Sequence, residues 1–329
     1  MSFFGGGTDM PSFFNEYGGA VISTAFDKYC YVNVRHMPPF HPYISELVYN
    51  RFERVNDIDD IEHPLIRECM RLHDIHEIRL TYEGDLPART GLGTSSTFAV
   101  GMLNAFCALK GKKMSKRQLA QEAIHVEREI LHEHGGWQDQ VAAAYGGLNR
   151  INFVNGDFSV HPIVIAPERK KELDDNLLLF YTGIQRLSSE IQADTFAKPV
   201  DKIQQLKDML ALVDEAEKIL CDKNVSLNEF GKLLDTTWKL KRGTGSKVSN
   251  GFIDELYGQA IKAGALGGKL LGAGGGGFLL FYCEKEKQDC LTKAMEKLMI
   301  VPFNFENEGT HILYYAPQNY SPRKEIILK

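Results

Sequence analysis

Glycine placement constrains this chain more than any other feature. Of 30 glycines in 329 residues, many fall into three clusters: Gly5 to Gly7, Gly91 with Gly93, and Gly272 with Gly274 to Gly277. Clustered glycine marks backbone that turns through left-handed conformations or approaches another group too closely for a side chain. The run Gly272-Ala273-Gly274-Gly275-Gly276-Gly277 matches GxGxxG literally. A dinucleotide fingerprint, however, follows a strand and opens a helix, whereas this run leads into the apolar strand pattern FLLFYC at 278 to 283. That order argues against a nicotinamide-dependent oxidoreductase. Gly268-Lys269 also fails as a Walker A element, because Ala263 stands five residues before Gly268 and Leu270 follows the lysine.

Lys and Arg number 38 against 43 Asp and Glu, a net charge of −5, so no nucleic-acid partner is expected. No apolar run reaches the roughly 18 residues a membrane helix needs, and no membrane partner is expected. The start MSFFGGGTD lacks the basic and apolar regions of a secretory signal, so a cytoplasmic location is expected. Cys30, Cys69, Cys107, Cys221, Cys283 and Cys290 show no CxxC spacing and read as reduced, mostly buried thiols. Nothing in the sequence reports the oligomeric state.

Residues 20 to 34 and 77 to 83 carry strand patterns, and residues 38 to 64, with four prolines and an acidic run, read as loop and edge structure. Capping boxes at Ser115/Gln118 and Ser226/Glu229 predict helices over about 116 to 132 and 227 to 241. Further helices are expected over about 200 to 221, 250 to 263 and 285 to 298, with strands at 176 to 181, 278 to 283 and 311 to 316. This irregular alternation predicts an α+β fold, divided into domains of residues 1–155 and 156–329.

The segment Gly91-Leu92-Gly93-Thr94-Ser95-Ser96-Thr97 sits between a strand pattern and a buried helix. Glycines, free amides at a helix start and hydroxyls suit a triphosphate with Mg2+, although a Ser/Thr-capped helix after a tight turn would look the same. On the helix expected over 116 to 132, Glu127 falls near the middle of an apolar arc of Val126, Leu119, Ile130 and Ala123. A carboxylate there needs a compensating partner, either a magnesium ion or an arginine from elsewhere in the fold. Asp139, in Gly135-Gly136-Trp137-Gln138-Asp139, opens a helix; it is either a dipole partner or a general base. His125, His132 and His134 project to the solvent side and form no metal motif.

In this order the segments SFFGGGTDM (2 to 10), PARTGLGTSST (87 to 97) and KLLGAGGGGF (269 to 278) resemble the GHMP kinase superfamily over nearly the whole chain. The resemblance implies a two-domain α+β fold, with an N-terminal ribosomal-protein-S5-like domain and a C-terminal ferredoxin-like domain. It implies an ATP-dependent phosphotransferase with Mg2+, Gly91 to Thr97 holding the phosphates, and Ser95 and Glu127 as metal ligands. It further implies Asp139 as the base, and Gly6, Gly7, Thr8, Asp9, Gly274 and Gly275 around the substrate.

The forms GGGTD, YGGAVIS, TGIQR and GGKLLGAGGGGF are most similar to kinases of D-glycero-D-manno-heptose 7-phosphate, which phosphorylate the C1 hydroxyl. Kinases of fucose, galactose or an N-acetylhexosamine are the alternative, as is a silent ATP and sugar sensor. A sugar phosphate requires a cationic pocket. Arg186 is the first candidate for it; Lys239, Lys241 and Arg242 come second, since basic residues at a helix C-terminus ordinarily complement the dipole. The basic residue that related kinases carry before the first segment has no counterpart here, so the first strand is expected to fray.

Overall fold

The computed structural model describes residues 1–88, 90–184 and 202–316. In chain order the first half holds β1 (Ser2–Phe4), α1 (Pro11–Tyr17), β2 (Gly19–Phe26), β3 (Cys30–His36), β4 (Ser45–Val48), β5 (Phe52–Val55), α2 (Pro64–Leu72), β6 (Ile78–Gly84), α3 (Thr94–Leu109), α4 (Lys116–Ile124) and α5 (Gln138–Tyr145). There follow β7 (Leu148–Val154), β8 (Asp157–Pro162), α6 (Pro167–Asp175), β9 (Leu177–Tyr181), α7 (Ile203–Cys221), α8 (Asn228–Arg242) and α9 (Gly251–Lys262). The chain continues through β10 (Gly267–Leu270), β11 (Phe278–Tyr282), α10 (Gln288–Ala294), β12 (Met299–Ile300) and β13 (Phe305–Glu306).

Three sheets result. The first runs β1-β2-β7-β8 with β13 also on β2, the second β3-β6-β4-β5, and the third β10-β11-β9-β12. Only β4 and β6 pair in parallel among the described strands. Strand β2 is buried on both faces. Val21 enters a core with Phe14, Phe153, Leu103 and Leu119, while Ala20 and Ile22 enter a second core with Val213 of α7 and Phe230 and Leu234 of α8. Burial on two faces explains why Ala20, Val21 and Ile22 are consecutive apolar residues rather than an alternation. The third sheet is used the same way, with Leu179 and Leu280 facing the second core and Phe180 and Phe281 facing a third beneath α9 and α10. This is the expected α+β architecture.

Several local expectations are corrected. Residues 20 to 34 form two strands, and β4 lies inside a sheet because Glu46, although buried, is matched by Arg54 and Arg79. Strand β1 is not frayed: Phe3 and Phe4 are fully buried and pack edge-on against Phe230. The Ser115/Gln118 box forms, but α8 starts at Asn228, whose N–H donates to Ser226 Oγ, so the Ser226/Glu229 box does not. α4 ends at Ile124 and continues as one π-helical turn over His125–Ile130. Residues 311–316 form no strand. Leu313 and Tyr314 are exposed there, and strand propensity expresses fit to a half-buried sheet surface that this position does not offer. Cys221 and Cys290 are exposed rather than buried. The sequence boundary at 155/156 falls in the β7-β8 turn, and no described helix is long and apolar enough to cross a membrane.

Because Ile22 sits between two helical layers, Ile22→Ala should lower unfolding free energy by about 2–5 kcal/mol, while Phe40→Ala, at a side chain 90% exposed, should change it by less than about 0.5. Urea denaturation of both variants tests this; equal effects would contradict it.

Candidate active site

The segment after β6 reaches α3 through two left-handed glycines, Gly91 at φ +81° and Gly93 at φ +69°. Gly93 occupies the N-cap position and, among the described residues, no side chain bonds the first amides of α3, which leaves them available to an anion. The third glycine cluster lies directly on this turn. Gly91 and Gly272 pack backbone to backbone, and a Cβ on Gly277 would overlap Thr90 O. The cluster is held from its other side by Gly277 N–H donating to Thr182 Oγ1 (3.1 Å) and Gly275 N–H donating to Val248 O (2.9 Å).

The first cluster closes the same region. Thr8, expected near a substrate, is fully buried and its hydroxyl is engaged with Gly5 O and with Ala20 O and N–H. It therefore anchors the Gly5–Gly7 turn to β2 instead of meeting a ligand. Asp9 is 1% exposed and accepts from Gly7 N–H (2.9 Å) and Gln138 N–H (3.1 Å). Burial pushes its carboxyl up, and these amides pull it back. Gly136 is required beside it, since a Cβ there would overlap the carboxylate. Gly6 lies near the Gln138 side chain.

Asp139, in the first turn of α5, touches Gly93 and opens onto a cleft of about 720 Å3. Although its side chain reaches solvent through the cleft, the surrounding walls and then the charge of Asp9 lift its carboxyl to about 6. Tyr29, Tyr31, Leu86, Leu92 and Thr94 line the same cleft. Glu127 comes from the π turn, where the wider helical step follows a regular α4; it is 1% exposed. It accepts from Ser96 Oγ (2.9 Å) and from Gln140 Nε2, and burial pushes its carboxyl up. Ser96 is thus the hydroxyl bonded to Glu127, while Ser95, the hydroxyl that the resemblance implies as a metal ligand alongside Glu127, is exposed in the first turn of α3.

Arg128 follows Glu127 and donates to Gly136 O through Nε (3.2 Å) and Nη2 (3.0 Å), tying the π turn to the turn that supports Asp9. Lys269, inside β10, is buried and donates to Phe3 O (2.9 Å); burial holds its ammonium well below the usual range. As a single charge in the apolar run GGKLLG, it carried the same signal as Glu127, which the sequence reading left unused. Lys241 donates to Leu270 O (3.2 Å) and to Gly272 O, and so belongs to the site. Lys239 and Arg242 pair with Asp235 and Asp254. Arg186 lies outside the described residues. His125, His132 and His134 are exposed, as expected.

Among the described residues no three His, Cys, Asp or Glu side chains form a metal cluster. One buried carboxylate beside hydroxyls still suits Mg2+, which commonly takes one or two carboxylates and completes its shell with water and phosphate.

The model of the GHMP kinases N terminal domain matches residues 63–147 and that of the GHMP kinases C terminal matches 223–300. The D-glycero-alpha-D-manno-heptose 7-phosphate kinase of Campylobacter jejuni subsp. jejuni is 30% identical over 336 positions, covering 93% of this chain and 94% of its own. The chain belongs to the GHMP kinase family. It is therefore a phosphotransferase. An L-fucokinase/L-fucose-1-P guanylyltransferase of Bacteroides fragilis is 34% identical over 61% of this chain, but only 22% of that longer protein is covered. The crystal structure of a D-glycero-D-manno-heptose 1-phosphate kinase from Bacteriodes thetaiotaomicron shares the fold, with TM-score 0.77, 23% identity and coverage of 96% and 97% of the two chains.

A glutamate whose carboxyl is raised in the fold destabilises the metal-free protein wherever it is ionised, above its ordinary value of 4.5. Glu127→Gln in EDTA should therefore melt higher than the parent at pH 7, with the gap closing as pH falls toward 4.5. A lower melting temperature across that range would contradict the burial argument.

Proposed function

We propose that this GHMP kinase transfers the γ-phosphoryl group of ATP to the anomeric C1 hydroxyl of a sugar phosphate, D-glycero-D-manno-heptose 7-phosphate, giving the 1,7-bisphosphate. The observation that carries this reading is Asp139: its carboxylate lies against the glycine turn at the start of α3, lines the cleft, and is close enough to the buried Asp9 to feel its charge. A phosphoryl donor on the amides of α3 and an acceptor hydroxyl on Asp139 would then lie next to each other.

In this mechanism the Gly91 to Thr97 turn holds the triphosphate through backbone N–H groups, with the base of ATP in the cleft lined by Tyr29, Tyr31 and Leu92. The acceptor sugar lies along Gly6 and Gly7, oriented by groups that Asp9 holds in place. Asp139 takes the proton of the C1 hydroxyl as its oxygen bonds to the γ-phosphorus and the bond to the ADP oxygen breaks in line. Glu127, with Ser96 and Ser95 at the start of α3, would hold Mg2+, which neutralises charge on the phosphates when bound. Alignment and charge stabilisation supply most of the acceleration, and no covalent phosphoenzyme is involved.

The sugar assignment is supported by the similarity to the Campylobacter heptose 7-phosphate kinase along nearly the full length of both chains. The fucokinase match supports a second reading, an unphosphorylated hexose as acceptor. Release of ADP on addition of heptose 7-phosphate, compared with heptose, fucose and galactose, separates the two. The account predicts activity on the phosphorylated heptose and little on the others; the reverse preference would overturn it.

Asp139 must be ionised to accept a proton, and its carboxyl sits at about 6. The account therefore predicts kcat/KM level above pH 6 and falling about tenfold per unit below it. Asp139→Asn should lower turnover at least about a hundredfold. Near-normal turnover in that variant would remove the base from the mechanism.

A further inference from the structure

The last turn of α8 carries three cations, and only one of them lacks a carboxylate in contact. Lys239 pairs with Asp235 and Arg242 with Asp254. Lys241 turns the other way. Its ammonium donates to Leu270 O and Gly272 O at the root of the third glycine cluster. An ammonium has three N–H donors, and these two carbonyls use two of them.

The place it occupies is defined by contacts on both sides. Gly272 packs on Gly91, and the turn that continues from Gly91 to Gly93 touches Asp139. The charges of Asp139 and Asp9 act on Lys241, yet neither carboxylate forms an ion pair with it among the described residues. Opposite charges that act on one another across more than ion-pair distance can both be engaged by a group lying in the gap between them. A group fitting that gap needs a negative end toward Lys241 and a donor hydroxyl toward Asp139. A phosphoryl group being attacked by a hydroxyl has both.

We propose that the third N–H of Lys241 contacts the γ-phosphoryl group of the bound nucleotide, so that a lysine from the C-terminal half supplies the positive charge at the point of transfer. This assignment rests on the reading of the cleft as a nucleotide site. It differs from the dipole role that a helix-terminal lysine ordinarily has, and the two carbonyl bonds fix the ammonium so that it need not reorganise as charge moves onto the leaving oxygen. Burial lowers its ammonium to about 8, which leaves it mostly protonated at neutral pH.

The test is calorimetric titration of ADP and of β,γ-imido-ATP, both with Mg2+, into the parent protein and into Lys241→Met, Lys241→Gln and Lys241→Arg. Contact with the γ-phosphoryl group predicts that Met and Gln weaken imido-ATP roughly ten- to a hundredfold more than they weaken ADP, and that Arg retains most of the preference. Retained ADP binding also shows that each variant is folded at the site. Equal weakening of both nucleotides, as expected of a mere brace for the glycine cluster, would overturn the proposal, and so would no weakening of either. Failure of the parent to bind either nucleotide would remove the nucleotide reading and this assignment together. Failure of heptose 7-phosphate as an acceptor would leave the imido-ATP result standing, so the two claims are separately refutable.

Discussion

The contact between Gly91 and Gly272 is the constraint on which the rest of the site depends. Two backbones, 181 positions apart in the chain, approach with no room for a Cβ on either. That approach brings the open amides of α3 beneath the third glycine cluster and turns Gly93 against Asp139. It also sets the carbonyls of Leu270 and Gly272 where Lys241 can reach them. A side chain at either glycine would separate the surfaces and move phosphate loop, base and cation apart, and displacements of about 1 Å already matter at a reacting centre. The sheet that both halves share supplies the stiffness: β2 is packed from above and below, and the Gly5–Gly7 turn is pinned to it through Thr8.

Around that contact the protein gathers charge that a stable core would avoid. Asp9, Glu127 and Asp139 lie near the cleft that Asp139 lines, and Arg128, Lys241 and Lys269 are each close enough to at least one of these acids to feel its charge. Arg128 is bound to the carbonyls of Glu133 and Gly136 and pairs with the Glu133 carboxylate, while Lys269 is bound to one carbonyl and Lys241 to two, so among the described residues none of the three pairs directly with Asp9, Glu127 or Asp139. Removing such groups from water costs several kcal/mol each. The arrangement makes sense as a site whose remaining partners are ligands: a polyphosphate, a divalent cation and a hydroxyl.

Much of this was legible in the residues. Glu127 stood out because a single carboxylate in an apolar arc has few bland explanations, and the structure buries it as that argument required. The glycine clusters were legible as close approaches, although their partners were not, because separations of more than a hundred residues leave no local trace. The π turn at His125–Ile130 was invisible, since one widened turn shifts the periodicity by less than a residue. Ser95 and Ser96 are adjacent hydroxyls at a helix start, and only the orientation of α3 decides which meets Glu127. Lys241 stood only second as a phosphate contact, because a helix dipole accounts for a C-terminal lysine just as well. The 311–316 segment misled in the other direction, its β-branched and aromatic residues finding no sheet to join.

The measurement that reaches the central claim most directly is the 31P spectrum of a mixture of the protein, ATP, Mg2+ and D-glycero-D-manno-heptose 7-phosphate followed over time. The account predicts a new phosphate ester resonance split by the anomeric proton, growing in step with ADP while the 7-phosphate signal persists. ADP accompanied by inorganic phosphate alone, or a new ester away from C1, would contradict it.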